Sequence, residues 1–379
     1  MQKAAVGWEM YERTGSALNL GFVGLVQFVP QVAFVAIAGH LADVYNRKHL
    51  LMAAVLLSAA AAAVLGLNAV RGGPIFTIYA CLFAAGTARA FWMPARSALL
   101  PGIVPLSIFS NAVSWNSSAF EIASFVGPAI GGFVIHYASV TAVYAVNVLV
   151  IVGFVLLLSG IHYRQERPQR GPLSLQSLLA GVGFIWRTKV VLSVMMLDMF
   201  GVMLGGATAL MPIYATDILH VGSAGFGWLL AAPSAGAFTS AVIQAHRGPL
   251  RRAGRTILLA VTLFGIATIL FGVSRSFLLS LAMLFALGVC DNISVVVRST
   301  LVQVSTPDDM RGRVSALNGL FIGTSNELGA FESGAVADLV GAVGSVVIGG
   351  AGTIAVAGIV AWFSPALRKY GRLGEHDSS

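Results

Sequence analysis

Long apolar stretches alternate with short polar ones along the whole chain. A membrane-crossing helix needs about 20 mostly apolar residues. Eleven stretches meet that length, near 18–39, 50–69, 74–94, 107–135, 140–160, 190–214, 224–245, 256–274, 276–297, 314–338 and 342–363. The connections are mostly short. The longest, 161–189, carries Arg164, Arg167, Arg170, Arg187 and Lys189. Its Leu173 to Trp186 stretch has the apolar spacing of a helix lying at the membrane surface. Residues 1–13 are too short and too charged to span alone, and no stretch has the form of a cleavable signal peptide.

Composition sharpens this into an exclusion. Hydrophobic residues make up 57% of the 379 and charged residues 10%, with a mean hydropathy of +0.85. A soluble domain carries about a quarter charged residues, so these are too few to solvate a folded surface. A soluble enzyme, a disordered chain and a secreted disulfide scaffold are excluded. The formal charge of +8 could suggest nucleic acid, but its location argues otherwise. With loops assigned alternately to two sides, one side holds 18 Lys and Arg and the other only Arg13, Arg71 and Arg275. By the positive-inside rule the basic side is cytoplasmic, and it includes the C-terminus. The charge is a topology signal, and no nucleic-acid partner is expected.

The chain also repeats itself. With a shift of 202 residues, Arg96, Ser97 and Leu99 fall on Arg298, Ser299 and Leu301. With the same shift Pro105 falls on Pro307, Asn116 on Asn318, Gly127 on Gly329 and Gly132 on Gly334. Such halves are the signature of a transporter built from two six-helix bundles with its substrate site between them. The expected fold is an all-α polytopic membrane protein with pseudo-twofold symmetry. Its parts would be an N-terminal bundle at 1–160, a cytoplasmic loop at 161–189, a C-terminal bundle at 190–363 and a cytoplasmic tail at 364–379. Shifted back by 203, the span at 190–214 lands before and across Met1, so the first helix reads as truncated, with about eleven full spans present.

Two motifs carry a resemblance. The run Gly39-His40-Leu41-Ala42-Asp43-Val44-Tyr45-Asn46-Arg47-Lys48 resembles motif A of the major facilitator superfamily, departing from it at Val44 and Asn46. The resemblance implies a gating role for Gly39, Asp43, Arg47 and Lys48, with Gly39 permitting close helix approach. Gly127-Pro128-Ala129-Ile130-Gly131-Gly132 resembles the end of motif C of the superfamily's drug/proton antiporters, which implies export. Met93 to Pro101 and Thr306 to Val314 resemble the branch that contains the enterobactin exporter and macrolide-efflux proteins. Thr306 and Pro307 also read as a helix start, as cap and first helical residue, with Asp308 and Asp309 complementing the dipole.

Ionisable side chains inside spans are costly and tend to be functional. A carboxyl in apolar surroundings holds its proton toward neutral pH. Asp198, Glu121 and Glu327, each within a span, are the candidate proton carriers. Arg89 and Asp291 occupy equivalent positions in the repeat and are candidates for a facing pair or for the cavity. Trp8, Tyr11, Trp92, Trp115 and Met203 are candidate substrate contacts, since aromatics and methionines suit amphiphiles of varied shape. The seven histidines have no metal-ligand spacing, and Cys81 and Cys290 imply neither disulfide nor zinc. No phosphate loop and no catalytic constellation are present, so no cofactor, metal or enzymatic activity is expected.

The expected function is export of a small amphiphilic solute, drug-like or siderophore-like, across the inner membrane by proton antiport with alternating access. The protein would act as a monomer, with lipid, solute and protons as its partners. The alternatives are a solute importer, an uncoupled facilitator, or a transport-inactive receptor of the same fold. Neither motif nor repeat identifies the solute.

Overall fold

The computed structural model describes residues 1–105, 108–161, 163, 175–246, 252–307, 310–368 and 370–371. Among them the chain is helical throughout and forms two compact units. The first comprises Met1–Gly15, Phe22–Leu173 and Gly222–Gly227; the second comprises Ser16–Gly21, Ser174–Val221 and Trp228–Ser379.

Helices α1 (Gln2–Thr14), α2 (Ala17–Val44), α3 (Arg47–Arg71), α4 (Ile75–Ile103), α5 (Phe109–Tyr137) and α6 (Val140–Ser159) supply the first unit. Each stops where its sequence provides a stop. Gly15 and Gly72 take left-handed backbone angles after α1 and α3, which glycine adopts without a Cβ clash. Ser139 caps α6 by accepting from the Ala142 amide. Helix α1 stands where the expected partial first span was placed. Inside the unit, buried Glu9 accepts hydrogen bonds from Tyr144 at 2.7 Å and Arg13 at 3.1 Å, and Arg13 also reaches the Gly73 carbonyl.

The second unit holds α7 (Leu175–Arg187), α8 (Lys189–Leu204), the short α9 (Met211–Ile213), α10 (Gly222–His246), α11 (Ala253–Val273), α12 (Phe277–Val304), α13 (Arg311–Phe363) and α14 (Pro365–Arg368). The apolar stretch expected at 190–214 is not one regular helix. It breaks at Gly205 and Gly206, passes through a 3₁₀ turn at Ala207–Leu210, and ends in a π turn at Tyr214–Ile218.

Among the described residues nine helices are long and apolar enough to cross a membrane. Two features reconcile this with the eleven expected stretches. Helix α13 is continuous in its hydrogen bonding but folds back at Gly341, whose φ of 80° and ψ of 161° are not helical. Ser345 donates a 2.8 Å hydrogen bond to the Ser333 carbonyl, twelve residues earlier. In a straight helix those residues would lie about 18 Å apart, so α13 supplies two antiparallel legs. Helix α5 coincides with the expected span at 107–135, although only its Val126–Tyr137 part is strongly apolar.

Side chains such as Leu149, Leu157, Leu339 and Trp362 point outward at 70–83% exposure, as lipid contact requires. Between helices, glycines allow the backbones to touch. A Cβ added to Gly288 of α12 would lie 1.8 Å from the Pro233 carbonyl of α10, and one on Gly236 would lie 2.0 Å from the Phe285 carbonyl.

At the expected helix start, the Pro307 carbonyl accepts from the Arg311 amide at 3.1 Å, α13 is regular from Arg311, and the Thr306 hydroxyl donates to the Val302 carbonyl in the last turn of α12. Asp308 and Asp309 lie outside the described residues. The start of the expected tail packs against the second unit. Leu367 of α14 is fully buried against Val194, Ile257 and Leu301, and the Ala253 amide donates to the Gly371 carbonyl at 3.1 Å.

The α10–α12 contact gives a stability test. Gly288→Val should lower the thermal unfolding midpoint of the purified protein, at a cost of roughly 2 kcal/mol or more, since backbone and not a flexible side chain stands in the way. Gly153→Ala, where the added methyl meets open space, should leave that midpoint unchanged.

Candidate functional site

The charged residues of the site and Asn326 sit on three helices of the second unit, α8, α12 and α13, while α10 and α11 complete the lining through Pro233, Ala237 and Phe264. Asp198 lies in the middle of α8, nine residues after Lys189. Asp291 and Arg298 lie in α12, seven residues apart. That spacing is two helical turns and puts both on one face. The Nη1 of Arg298 donates to Oδ2 of Asp198, an ion pair with both side chains more than nine-tenths buried. The Nε of Arg298 is also buried and has no hydrogen-bond partner among the described residues.

Asp198, Asp291 and Arg298 line one cavity of about 270 Å³. Its third wall is α13, where Ile322, Asn326 and Ala330 recur every four residues along one stripe. The break in α8 opens onto the same space, because Gly205 and Gly206 both line it. A smaller hollow of about 20 Å³, lined by Gly201, Cys290, Ser294 and Thr353, adjoins Asp198 and Asp291 from the other side. The larger space holds several waters or the polar end of a small solute. Its walls carry two acids and one base. With Asp198 and Arg298 cancelling each other, Asp291 is the acid left over, and when it is ionised the lining carries one negative charge. In surroundings of low dielectric such a charge attracts a proton or a cationic group far more strongly than it would in water.

The sequence-predicted residues divide sharply. Asp198 and Asp291 come together in this cavity. Glu327 is buried in α13 but outside the cavity wall, which its neighbour Asn326 joins. Arg89 is exposed on α4 in the first unit, and Asp291 belongs to the second. The side chains of Glu121 and Asp43 lie outside the described residues. Met203 is not in the cavity lining, where Val202 stands instead; the Met203 backbone packs against Gly329.

Trp8, Tyr11, Trp92 and Trp115 are all in the first unit. Trp8 packs on Phe226 at 5.3 Å between ring centroids, Arg96 sits 5.6 Å from the Trp92 ring, and Trp115 is 71% exposed.

The motif residues take structural parts. A Cβ on Gly39 would meet no atom within 4 Å among the described residues. Asn46, which departs from motif A, caps α3 by accepting from the Lys48 amide at 3.0 Å. Arg47 opens that helix. The Lys48 ammonium donates to the carbonyls of Ser159 and Ile161 at 2.8 and 2.7 Å, at the negative end of the α6 dipole. In the motif C stretch, Gly132 makes the closest approach. A Cβ there would lie 2.4 Å from the Gly227 Cα, within the first unit, whereas at Gly127 and Gly131 it would meet Met1 at 3.5 and 3.3 Å. Pro128 sits inside α5, which stays helical across it.

Sequence reasoning missed Arg298, which it counted among the cytoplasmic loop cations. The structure places it inside α12 and 3% exposed. The seven-residue spacing from Asp291 was the available signal.

Residues 1–373 match the family described as transmembrane secretion effector. The chain belongs to this family of the major facilitator superfamily. Among curated relatives, the multidrug efflux pump Tap of Mycolicibacterium fortuitum is 27% identical over 96% of this chain and 91% of that protein. The enterobactin exporter EntS of Shigella boydii is 25% identical over 94% of this chain and 83% of the other. Among solved structures, a bacterial homologue of the human lysosomal transporter Spinster superposes with a TM-score of 0.71 at 13% identity, over 97% of this chain and 96% of that one. A multi-pass membrane transporter, not an enzyme, is what these likenesses and the apolar helices establish.

The ion pair yields a paired test. Arg298→Leu leaves Asp198 buried without its partner and should destabilise the transporter by about 3–5 kcal/mol. The double change Asp198→Leu with Arg298→Leu should recover most of that loss in a thermal unfolding assay. If the single variant is as stable as the wild type, the pair is not the buried contact described.

Proposed function

We propose that this transporter exports a small amphiphilic solute in exchange for protons, with Asp198 and Asp291 as the proton-carrying groups and Arg298 as their charge partner. The carrying observation is the cavity in which two acids and one base converge beside a broken helix. A proton arriving there cancels the leftover negative charge, so loading and unloading change the electrostatics of the whole cavity. A charge change at a bistable element is what alternating access needs in order to couple two fluxes. Export is favoured because the multidrug pump Tap and the enterobactin exporter are similar to this chain over nearly its full length. The motif C resemblance at Gly127, Pro128, Gly131 and Gly132 points the same way.

In this reading the chain sits in the cytoplasmic membrane of a bacterium as a monomer. Its C-terminal tail is cytoplasmic, on the side where 17 of its Lys and Arg residues gather once Arg298 is placed inside α12. Glu121 and Glu327 remain secondary candidates for the proton route. Trp8, Tyr11, Trp92, Trp115 and Met203 remain candidates for holding the apolar part of a solute.

Everted vesicles test the reading. Fluorescent amphiphiles, cationic and neutral, are offered with an imposed proton gradient, and accumulation is measured with and without a protonophore. Accumulation should collapse with the protonophore and should be abolished by Asp198→Asn and by Asp291→Asn. Accumulation that survives the protonophore means a facilitator, and binding without flux means a receptor; either would overturn proton-coupled export.

A further inference from the structure

The two halves of the chain place the same two residue types at the same offset but use them differently. In the first unit, Arg96 of α4 donates to Oδ1 of Asn116 in α5 at 2.5 Å. The 202-residue shift that relates the halves carries Arg96 onto Arg298 and Asn116 onto Asn318. In the second unit that bond is not made. Arg298 is engaged by Asp198 of α8. The Oδ1 of Asn318 is buried with no hydrogen-bond partner among the described residues, and so is the Nε of Arg298. A buried acceptor and a buried donor are thus both left over, each costing about 1–3 kcal/mol of desolvation while it stays so.

Their placement makes them partners in waiting. On α13 the cavity stripe Ile322, Asn326, Ala330 continues one turn toward the helix start at Asn318. Next to it, Leu317 packs in one cluster with Val302, one turn beyond Arg298 on α12. Asn318 thus lies on the stretch of α13 that packs against α12 one turn beyond Arg298. Asp291 and Cys290 on α12 are the other titratable groups lining the two hollows beside Asp198; α10, α11 and α13 contribute none to those linings.

We infer that Arg298 is a two-position switch, held by Asp198 when that carboxylate is charged and by Asn318 when it is protonated. A proton from solvent adds to the Asp198 carboxylate and cancels its charge. The guanidinium then has no anion to hold it on α8 and swings to the waiting amide oxygen, reproducing the bond that Arg96 and Asn116 already make. Loss of the proton restores the carboxylate and draws the guanidinium back. The switch loosens α12 from α8 and ties it to α13 at the moment of protonation. Arg298 and Asn318 act here as positioning residues, converting a proton into a change of helix partner. The inference rests on Asp198 taking up a proton, as in the function proposed above.

The test uses the full chain in detergent or nanodiscs, with protons as the only ligand. The carboxylic acid stretch of Asp198 is followed by infrared difference spectroscopy across pH and assigned by its loss in Asp198→Asn. Removing the second resting place disfavours the protonated state. Asn318→Ala should therefore move the midpoint of that band to lower pH by about one unit, the scale of one hydrogen bond to a charged group. Asn318→Gln, which keeps an acceptor, should restore it. Asn318→Ser serves if the alanine variant folds poorly.

A second measurement is a thermal double-mutant cycle. Asp198→Asn alone should be tolerated, because Arg298 moves to Asn318. Combined with Asn318→Ala, the loss in unfolding midpoint should exceed the sum of the single losses. A titrating Asp198 band whose midpoint is the same in wild type, Asn318→Ala and Asn318→Gln, with additive stabilities, would overturn the switch and leave the proton role intact. An Asp198 band that never titrates would overturn both.

Discussion

Lipid offers a helix no reward for hiding a leucine, so membrane helices are held by close backbone approach and by polar contacts made between them. In the second unit that constraint is met by glycine at successive crossings. Gly236 and Gly288 bring α10 onto α12, Gly265 and Gly350 bring α11 onto the second leg of α13, and Gly254 seats α11 against the Leu367 carbonyl. These contacts leave no room for adjustment between their helices. They also leave a gap where the crossings diverge, and the cavity beside Asp198 is that gap. The void is a product of how tightly its surroundings are packed.

A charge inside such a packed frame has few ways to be satisfied. Asp198 is buried, and its ion-pair partner comes from another helix, so the pair links α8 to α12. It differs from the backbone contacts in being conditional on charge. The glycine contacts persist at any pH, whereas the ion pair exists only while the carboxylate is ionised. A transporter needs this combination: a scaffold that holds its geometry and a single tie that chemistry can undo.

Much of this was legible in the chain itself. Apolar length located the spans, because a bilayer fixes how long a helix must be. The shift of 202 residues exposed the halves, because Arg, Pro and Asn at fixed offsets are rare among Leu and Ala. Asp198 and Asp291 were found by the cost of placing a carboxyl in a span. Arg298 was not, because a hydropathy boundary drawn at residue 297 put it in a loop, while α12 continues to Val304. The interruption at Gly205 and Gly206 was also hidden, since apolar composition does not register whether the backbone is wound. Pairing between distant helices depends on which face each presents, and periodicity is weakest where every face is apolar.

The reversal at Gly341 has a mechanical side. The two legs of α13 are joined through one non-helical residue and clasped by the Ser345 to Ser333 hydrogen bond, so the hinge has no slack. The first leg forms a wall of the cavity through Ile322 and Asn326. The second leg meets α8, where Thr353 donates to the Gly201 carbonyl at 3.0 Å. The first leg also touches it, through Gly329 against the Met203 backbone. Helix α8 is therefore in contact with both legs of one hairpin, so a shift of either leg bears on the helix that carries Asp198.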